Sequence, residues 1–142
     1  MTNRIVTIQD ISCVGKCSLT VALPIISAMG VEAAVIPTAV LSTHTAFKGF
    51  TFRDLTNDIN DIAKHWKKEK IDFKAIYTGY LGSFEQLNIV SGFIDDFKKD
   101  DTIVFIDPVM ADNGKLYPGF SEDFAKQMAK LCKKADVIVP NI

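Results

Sequence analysis

The stretch TIVFIDPVMADNGKLYP, residues 102–118, decides how this chain is read. Ile103, Val104, Phe105 and Ile106 form an unbroken apolar run, the pattern of a strand buried on both faces. Directly behind it come Asp107, Pro108, Asp112, Asn113, Gly114 and Tyr117. A buried strand that opens at once into acids and turn formers is how a parallel sheet presents polar groups beyond its carboxyl edge.

Working outward, the flanking segments alternate between strand and helix patterns. Upstream, Ser83 and Gln86 have the S-x-x-Q spacing of a capping box, and Leu87, Val90, Ile94 and Phe97 give the helix behind it a buried stripe. Residues 75–78 read as a short strand. Leu55, Ile59, Ile62, Ala63 and Trp66 share one face of a helix over residues 55–68. Residues 39–54 are irregular, with some strand character in TAFKGFTF. Residues 31–38 read as a strand, and Pro37 points to an edge or a terminus there. A helix is expected over residues 18–29, with Ser18 as N-cap, Gly30 as stop, and a kink or irregular first half caused by Pro24. Residues 4–9 are a first strand, and residues 10–17 a loop. Downstream, Ser121 caps a helix with Glu122 and Asp123 in its first turn and Phe124, Met128, Leu131 and Cys132 along its buried side. Residues 137–139 form a last strand. This alternation defines an α/β fold: a mostly parallel central sheet with helices on both faces. The sequence stops at Ile142, just past that strand, so residues 1–142 read as the first part of a larger domain.

Composition sets outer bounds. With 142 residues, 48% hydrophobic and 23% charged, the chain can bury a real core. A net charge of −1 with interspersed signs gives no nucleic-acid or anionic-membrane footprint. No apolar run approaches the roughly 20 residues that span a bilayer, and the start has no signal-peptide pattern. Three cysteines, Cys13, Cys17 and Cys132, suit a reducing cytoplasm, and the CxxxC pair lacks the further ligands of a zinc site.

Candidate chemistry falls at four strand ends: Asp10 and Ser12; the loop Ser42-Thr43-His44-Thr45; Thr78-Gly79-Tyr80-Leu81-Gly82; and Asp107, Asp112 and Tyr117. Tyr80, between glycines, has the shape to stack on a flat ring. Two acids five apart suit Mg²⁺ completed by phosphate oxygens. Each has a plainer reading. Asp107-Pro108 can simply end a strand, Asp112-Asn113-Gly114 is an ordinary turn, Tyr80 can be packing, His44 a surface residue and Asp10 a turn cap. Their convergence on one predicted edge favours function. GxGxxG and GxxxxGK[ST] are both absent, which argues against dinucleotide-binding and P-loop folds.

IQDISCVGKCSLTVALPIISAMG, AVIPTAVLSTHT, YTGYLGS, DPVMADNGKLY and VPN resemble, in order and spacing, the N-terminal half of pyridoxal kinases of the ribokinase-like superfamily. DPV alone is shared with hydroxymethylpyrimidine kinases. The resemblance implies transfer of the γ-phosphoryl of ATP to the 5′-hydroxyl of a B6 vitamer, with Mg²⁺ and K⁺ as cations, in a cytoplasmic homodimer. It implies that Asp10, where many members have Ser, faces the pyridine ring together with His44 and Thr45, and that Tyr80 stacks on that ring. It places Asp107, Asp112, Tyr117 and Asn141 around the ATP phosphates, with Asp107 on the metal. The family's catalytic base belongs to a later GTGD motif, which this sequence lacks, so the base is expected beyond Ile142. The chain alone is therefore expected to be inactive unless another polypeptide supplies the rest. A thiamine-pathway hydroxymethylpyrimidine kinase and a non-catalytic vitamer-binding or partner module are the alternatives.

Overall fold

The computed structural model describes residues 3–141. Ile142, past which the catalytic base is expected, lies outside the described residues. The elements follow in the order β1 (Arg4–Ser12), α1 (Leu19–Ala28), β2 (Glu32–Leu41), β3 (Phe52–Asp54), α2 (Thr56–Lys68), β4 (Ala75–Thr78), α3 (Phe84–Phe97), β5 (Ile103–Ile106), β6 (Ala111–Asp112), β7 (Lys115–Leu116), α4 (Glu122–Cys132) and β8 (Val137–Ile138). Six strands form one sheet in the order β3-β2-β1-β4-β5-β8, and β6 and β7 form a separate two-stranded hairpin. Every pairing in the large sheet is parallel except that of β3 with β2.

The pleat sorts the side chains. Val6 and Ile8 of β1, Ile76 of β4, and Val104 and Ile106 of β5 point to one face, where they pack with Ile59, Leu87, Val90, Ile94, Phe124, Met128 and Leu131 of α2, α3 and α4. Alternate residues Ile5, Ala75, Tyr77, Ile103 and Phe105 point to the other face. There, among the described residues, α1 is the one helix that supplies a wall, through Val21, Ala22, Ile25, Ile26 and Met29. The result is an open apolar trough of about 760 Å³ between α1 and the bare side of β4 and β5. Ile103 is 54% exposed and Met29 74% exposed along it.

Several local expectations change. Residues 10–12 belong to β1 rather than to a loop, because β2 continues alongside them past a register shift between Gln9 and Ile11. Asp10 is therefore a strand residue. Pro37 does not end β2. It pairs with Gln9, and β3 reaches only Ala39, Val40 and Leu41, so at Pro37 the outer side of β2 is locally an edge. Helix α1 runs through Pro24 without a break. Ser18 precedes that helix but makes no side-chain cap bond, since its φ of 49° and ψ of −131° are not those of an ordinary N-cap. The turn is held instead by Thr20 Oγ1, which donates to the carbonyls of Gly15 and Cys17.

The Ser83–Gln86 box forms in modified shape. Ser83 Oγ accepts from the Gln86 N–H at 3.1 Å as expected. The Gln86 side chain reaches one residue further back, accepting from the Gly82 N–H at 2.8 Å. Its amide then donates to Thr56 Oγ1 and to the Thr38 carbonyl, so one buried side chain joins the ends of β2 and β4 to the start of α2. Ser121 caps α4 as expected, accepting from the Phe124 N–H.

Candidate functional site

The chain runs outward from β1 to β2, then crosses back over β1 to β4 and continues outward through β5 to β8. The winding therefore reverses between β1 and β4. Right-handed crossovers then place α1 on one face and the remaining helices on the other. Where the winding reverses, the loops leaving adjacent strands diverge to opposite faces and open a crevice at the carboxyl edge. Asp10 and Tyr80 stand at the two sides of that crevice, at or just past the carboxyl ends of neighbouring strands.

Asp10 is only 6% exposed. Its Oδ1 and the hydroxyl of Thr78, on the neighbouring strand, are buried polar atoms with no hydrogen-bond partner among the described residues. Such groups are ordinarily satisfied, and leaving them dry costs stability unless a partner arrives. Tyr80 lies close by. Burial pushes its phenol up first, and the Asp10 charge pushes it further. One face of the Tyr80 ring is stacked on Phe120, with centroids 5.8 Å apart and planes at 22°. A Cβ on Gly82 would come within 3.2 Å of that ring, so the glycine gives Tyr80 its room.

Asp107 follows β5 on the same rim. Its backbone N–H donates to the Thr78 carbonyl at 3.2 Å, which fixes its height beside β4. It shares the mouth of the trough with Gln9, Tyr77, Gly79, Tyr80 and Val109. Burial raises the Asp107 carboxyl above the usual range. Tyr77 is raised mainly by burial and then by the Asp107 charge, against a lowering hydrogen bond with Gln9.

Asp112 differs from Asp107. It is exposed and already engaged: the Tyr117 hydroxyl donates to Oδ2 at 2.8 Å, and the Asn141 amide donates to Oδ1. The β6–β7 hairpin is thereby tied to the segment after β8. Burial, the Asp112 hydrogen bond and charge, and then the Asp107 charge all raise the Tyr117 phenol. Among the described residues no group of three His, Cys, Asp or Glu side chains is placed to hold a metal. Among the described residues Asp107 is the half-buried carboxylate without a side-chain partner, and Mg²⁺ commonly takes one or two carboxylates plus phosphate oxygens.

His44 and Thr45 lie in the loop after β2, at the same carboxyl edge, but neither lines the trough. Thr45 is exposed and His44 half-buried. The structure thus brings Tyr80 and Asp107 into one hollow, sets Asp10 beside Tyr80, groups Asp112 with Tyr117 and Asn141, and leaves the His44 loop on the flank. Reading the sequence missed Phe120, Gln9 and Tyr77. Gln9 and Tyr77 show only as strand letters, and Phe120 only as an aromatic ahead of a helix cap.

No protein-family model matches the chain. Among curated proteins it is 35% identical, over 124 residues, to the pyridoxal kinase PdxY of Photobacterium profundum, a match spanning 80% of this chain and 41% of that relative. A crystal structure of a Bacteroides thetaiotaomicron protein provisionally described as a phosphomethylpyrimidine kinase is 49% identical, with a TM-score of 0.96, over 98% of this chain and 48% of that one. A second crystal form of that protein, solved with pyridoxal, matches at 48% identity and a TM-score of 0.92 over 97% of this chain and 48% of that one. The pyridoxal kinase of Lactobacillus plantarum matches at 34% identity and a TM-score of 0.91, over 98% of this chain and 50% of that one. By fold the chain is ribokinase-like, with its mostly parallel sheet and helices on both faces. By sequence it is similar to pyridoxal kinases over that span, as the motifs led one to expect. It spans about half the length of the relatives it matches.

Proposed function

We propose that this chain forms the vitamer-binding part of an ATP-dependent kinase that phosphorylates the 5′-hydroxyl of pyridoxal, pyridoxine or pyridoxamine. The observation that carries the reading is the 48%-identical relative solved with pyridoxal, which covers 97% of this chain. The crevice between β1 and β4 supports it, with a buried acid lacking a partner and an aromatic ring beside it.

In this reading the free face of Tyr80, opposite Phe120, stacks on the pyridine ring. Asp10 accepts a hydrogen bond from a ring N–H⁺ or an amino group, which satisfies its orphaned oxygen. His44 and Thr45 supply polar contacts from the flank. Asp107 would hold Mg²⁺ beside the phosphates, with K⁺ as an accessory cation. Bound Mg²⁺ neutralises charge developing on the transferred phosphoryl group. Asp112, Tyr117 and Asn141, already linked to one another, frame the side where ATP phosphates enter. The carboxylate that takes the hydroxyl proton is expected from a GTGD segment beyond Ile142, which this sequence does not contain. A homodimeric state belongs to the same reading and is checked by light scattering.

Titration calorimetry of the chain with pyridoxal tests the proposal. Saturable binding that is lost in Tyr80→Ala is the expected result, and no binding by the folded chain would end it. The similarity to the Bacteroides phosphomethylpyrimidine kinase favours a second reading, in which the alcohol is a hydroxymethylpyrimidine. Tighter binding of that pyrimidine than of pyridoxal would select it. Vitamer binding with no ATP turnover, even with a second-half polypeptide added, would make the chain a binding module.

A further inference from the structure

The chain exposes more surface than a folded monomer of its size normally does. It presents 8537 Å² of accessible surface at a mass of 15.7 kDa. A folded monomer of that mass is expected to show roughly 7,300 Å². The surplus, about 1,200 Å², exceeds the roughly 800 Å² that one partner contributes to a standard interface. Two apolar features show where it lies. On α1, Val21, Ile25 and Met29 recur every fourth residue and are exposed beside the trough. At one edge of the sheet, Val137 and Ile138 of β8 and the following Val139 are exposed in succession, so both pleat faces there are uncovered. The β8 strand ends the sheet order, with β5 as its neighbour. The opposite edge is different in kind. Strand β3 carries Arg53 and Asp54, charges that guard a free edge against pairing, and residues 137–139 carry none.

Winding decides what can cover the open face. From β4 through β5 to β8 the chain advances in one direction, and right-handed crossovers put α3 and α4 on the closed face. A further strand added beyond β8 by the same step would bring its helix to that closed face as well. Helix α1 reached the open face because the step from β1 to β2 runs the other way. The bare side of β4 and β5 is therefore covered by helices of chain that turns back toward β1, or by another molecule. Among the described residues Asp107 is the one charged side chain lining the trough, so the surface fits the apolar face of a helix rather than a charged partner. The Bacteroides and Lactobacillus relatives reproduce this half closely, and each contains a further half of similar length.

We propose that the trough and the β8 edge together are a docking surface for the second half of a ribokinase-like domain. Amphipathic helices of that half lay their apolar faces between α1 and the bare side of β4 and β5, and its backbone pairs with the free edge of β8. The partner is this half-domain, whether joined to the chain or supplied as a separate polypeptide. The proposal rests on the kinase reading above for the identity of the partner, while the exposed surface stands without it. Asp107 lies at the mouth of the same trough, so the partner that covers the apolar face also meets the phosphate side of the crevice.

Co-expression of the full 142-residue chain with the second half of the 49%-identical Bacteroides protein, as a separate polypeptide, tests this. A one-to-one complex is expected by size exclusion with light scattering, with hydrogen exchange slowed more in α1, β5 and β8 than in α2. Ile103→Asp and Ile25→Asp add a charge at exposed positions of the open face, so the free chain stays folded. Each should weaken the complex by at least about thirtyfold, the weight of an interface hot spot. Phe52→Asp, as exposed as Ile103 but on the β3 edge, should leave it unchanged. An equal loss with Phe52→Asp overturns the proposal, as does a complex that survives both open-face variants. Failure of the two polypeptides to co-purify overturns it too. A wild-type homodimer that Ile103→Asp dissolves, and that persists in the presence of the second half, makes a second copy the occupant and overturns it likewise. If the second half is soluble only when co-expressed, the wild-type chain should rescue it and Ile103→Asp should not; equal rescue by both counts against the surface. A complex that forms but transfers no phosphoryl group from ATP to pyridoxal leaves the docking surface standing and defeats the vitamer-kinase reading instead.

Discussion

The two faces of the central sheet are made from the same strands and end up in different states. Under α2, α3 and α4, Val6, Ile8, Ile36, Ile76, Val104 and Ile106 are all fully buried. On the α1 side, residues one place along the same strands line an open trough, and Ile103, Val137, Ile25 and Met29 are exposed. A parallel sheet is stable when both faces are covered. Stability in this chain is therefore drawn from one layer, while the other layer displays apolar surface. The relatives of known structure are about twice as long as this chain and share its fold closely over the half that it spans.

Substitutions sharpen this contrast, and the largest effect belongs to the closed face. Ile94→Ala, near the C-terminal end of α3, should cost about 2–5 kcal/mol in urea unfolding, because it leaves a cavity in the packed core. A cost below that of an open-face change would break the comparison. Gln86→Ala should follow at about 1–3 kcal/mol, since it strips partners from the Gly82 N–H, the Thr38 carbonyl and Thr56 in a buried setting. An unchanged denaturation midpoint would show that water replaces all three. Ser121→Ala should cost about 1 kcal/mol through loss of the α4 cap.

Acid stability comes next. The Asp136 carboxylate accepts from the Val104 N–H at 2.8 Å and lies 3.0 Å from Lys98 Nζ. These contacts, the backbone one first, hold its carboxyl below the usual range. A depressed folded-state value means the unfolded chain binds this proton more tightly. The contribution is present above the unfolded value, about 3.9, and is lost as pH falls through the folded one. Asp136→Asn should flatten the acid limb of melting temperature against pH, and a parallel shift at all pH values would contradict this. The smallest effect belongs to the open face: Ile103→Ser should change stability by no more than about 0.5 kcal/mol while raising solubility, both read from the same purified chain.

How much the sequence reveals also divides along physical lines. The stripes of α2, α3 and α4 were legible because each buries one periodic face against the closed layer, and β5 from its unbroken apolar run, although only Val104 and Ile106 of that run are fully buried and Ile103 is exposed. The length of β1 was not, since QDIS carries no strand pattern and is held in the sheet by β2 alongside it. The short β3, β6 and β7 strands depend on partners rather than on their own composition. Ser18 has the right letter for a cap and the wrong backbone. Of the site, the placement of Asp10, Tyr80 and Asp107 on one edge follows from alternating strands and helices. The engagement of Asp112 by Tyr117 and Asn141, the stacking of Phe120 on Tyr80 and the room that Gly15 leaves for His44 are through-space relations, and no local pattern announces them.

The reversal of winding between β1 and β4 has a consequence for how the crevice comes into being. Asp10 and Tyr80 are separated by three strands, two helices and the loops between them, and they become neighbours only when β4 docks beside β1. No hairpin or single helix can preassemble any fraction of that crevice, so it arises together with the long-range strand pairing that limits the rate of folding. A small molecule that occupies it senses a finished sheet, and its protection against heat should grow with the logarithm of its concentration, as expected of a ligand to which the unfolded polypeptide offers nothing.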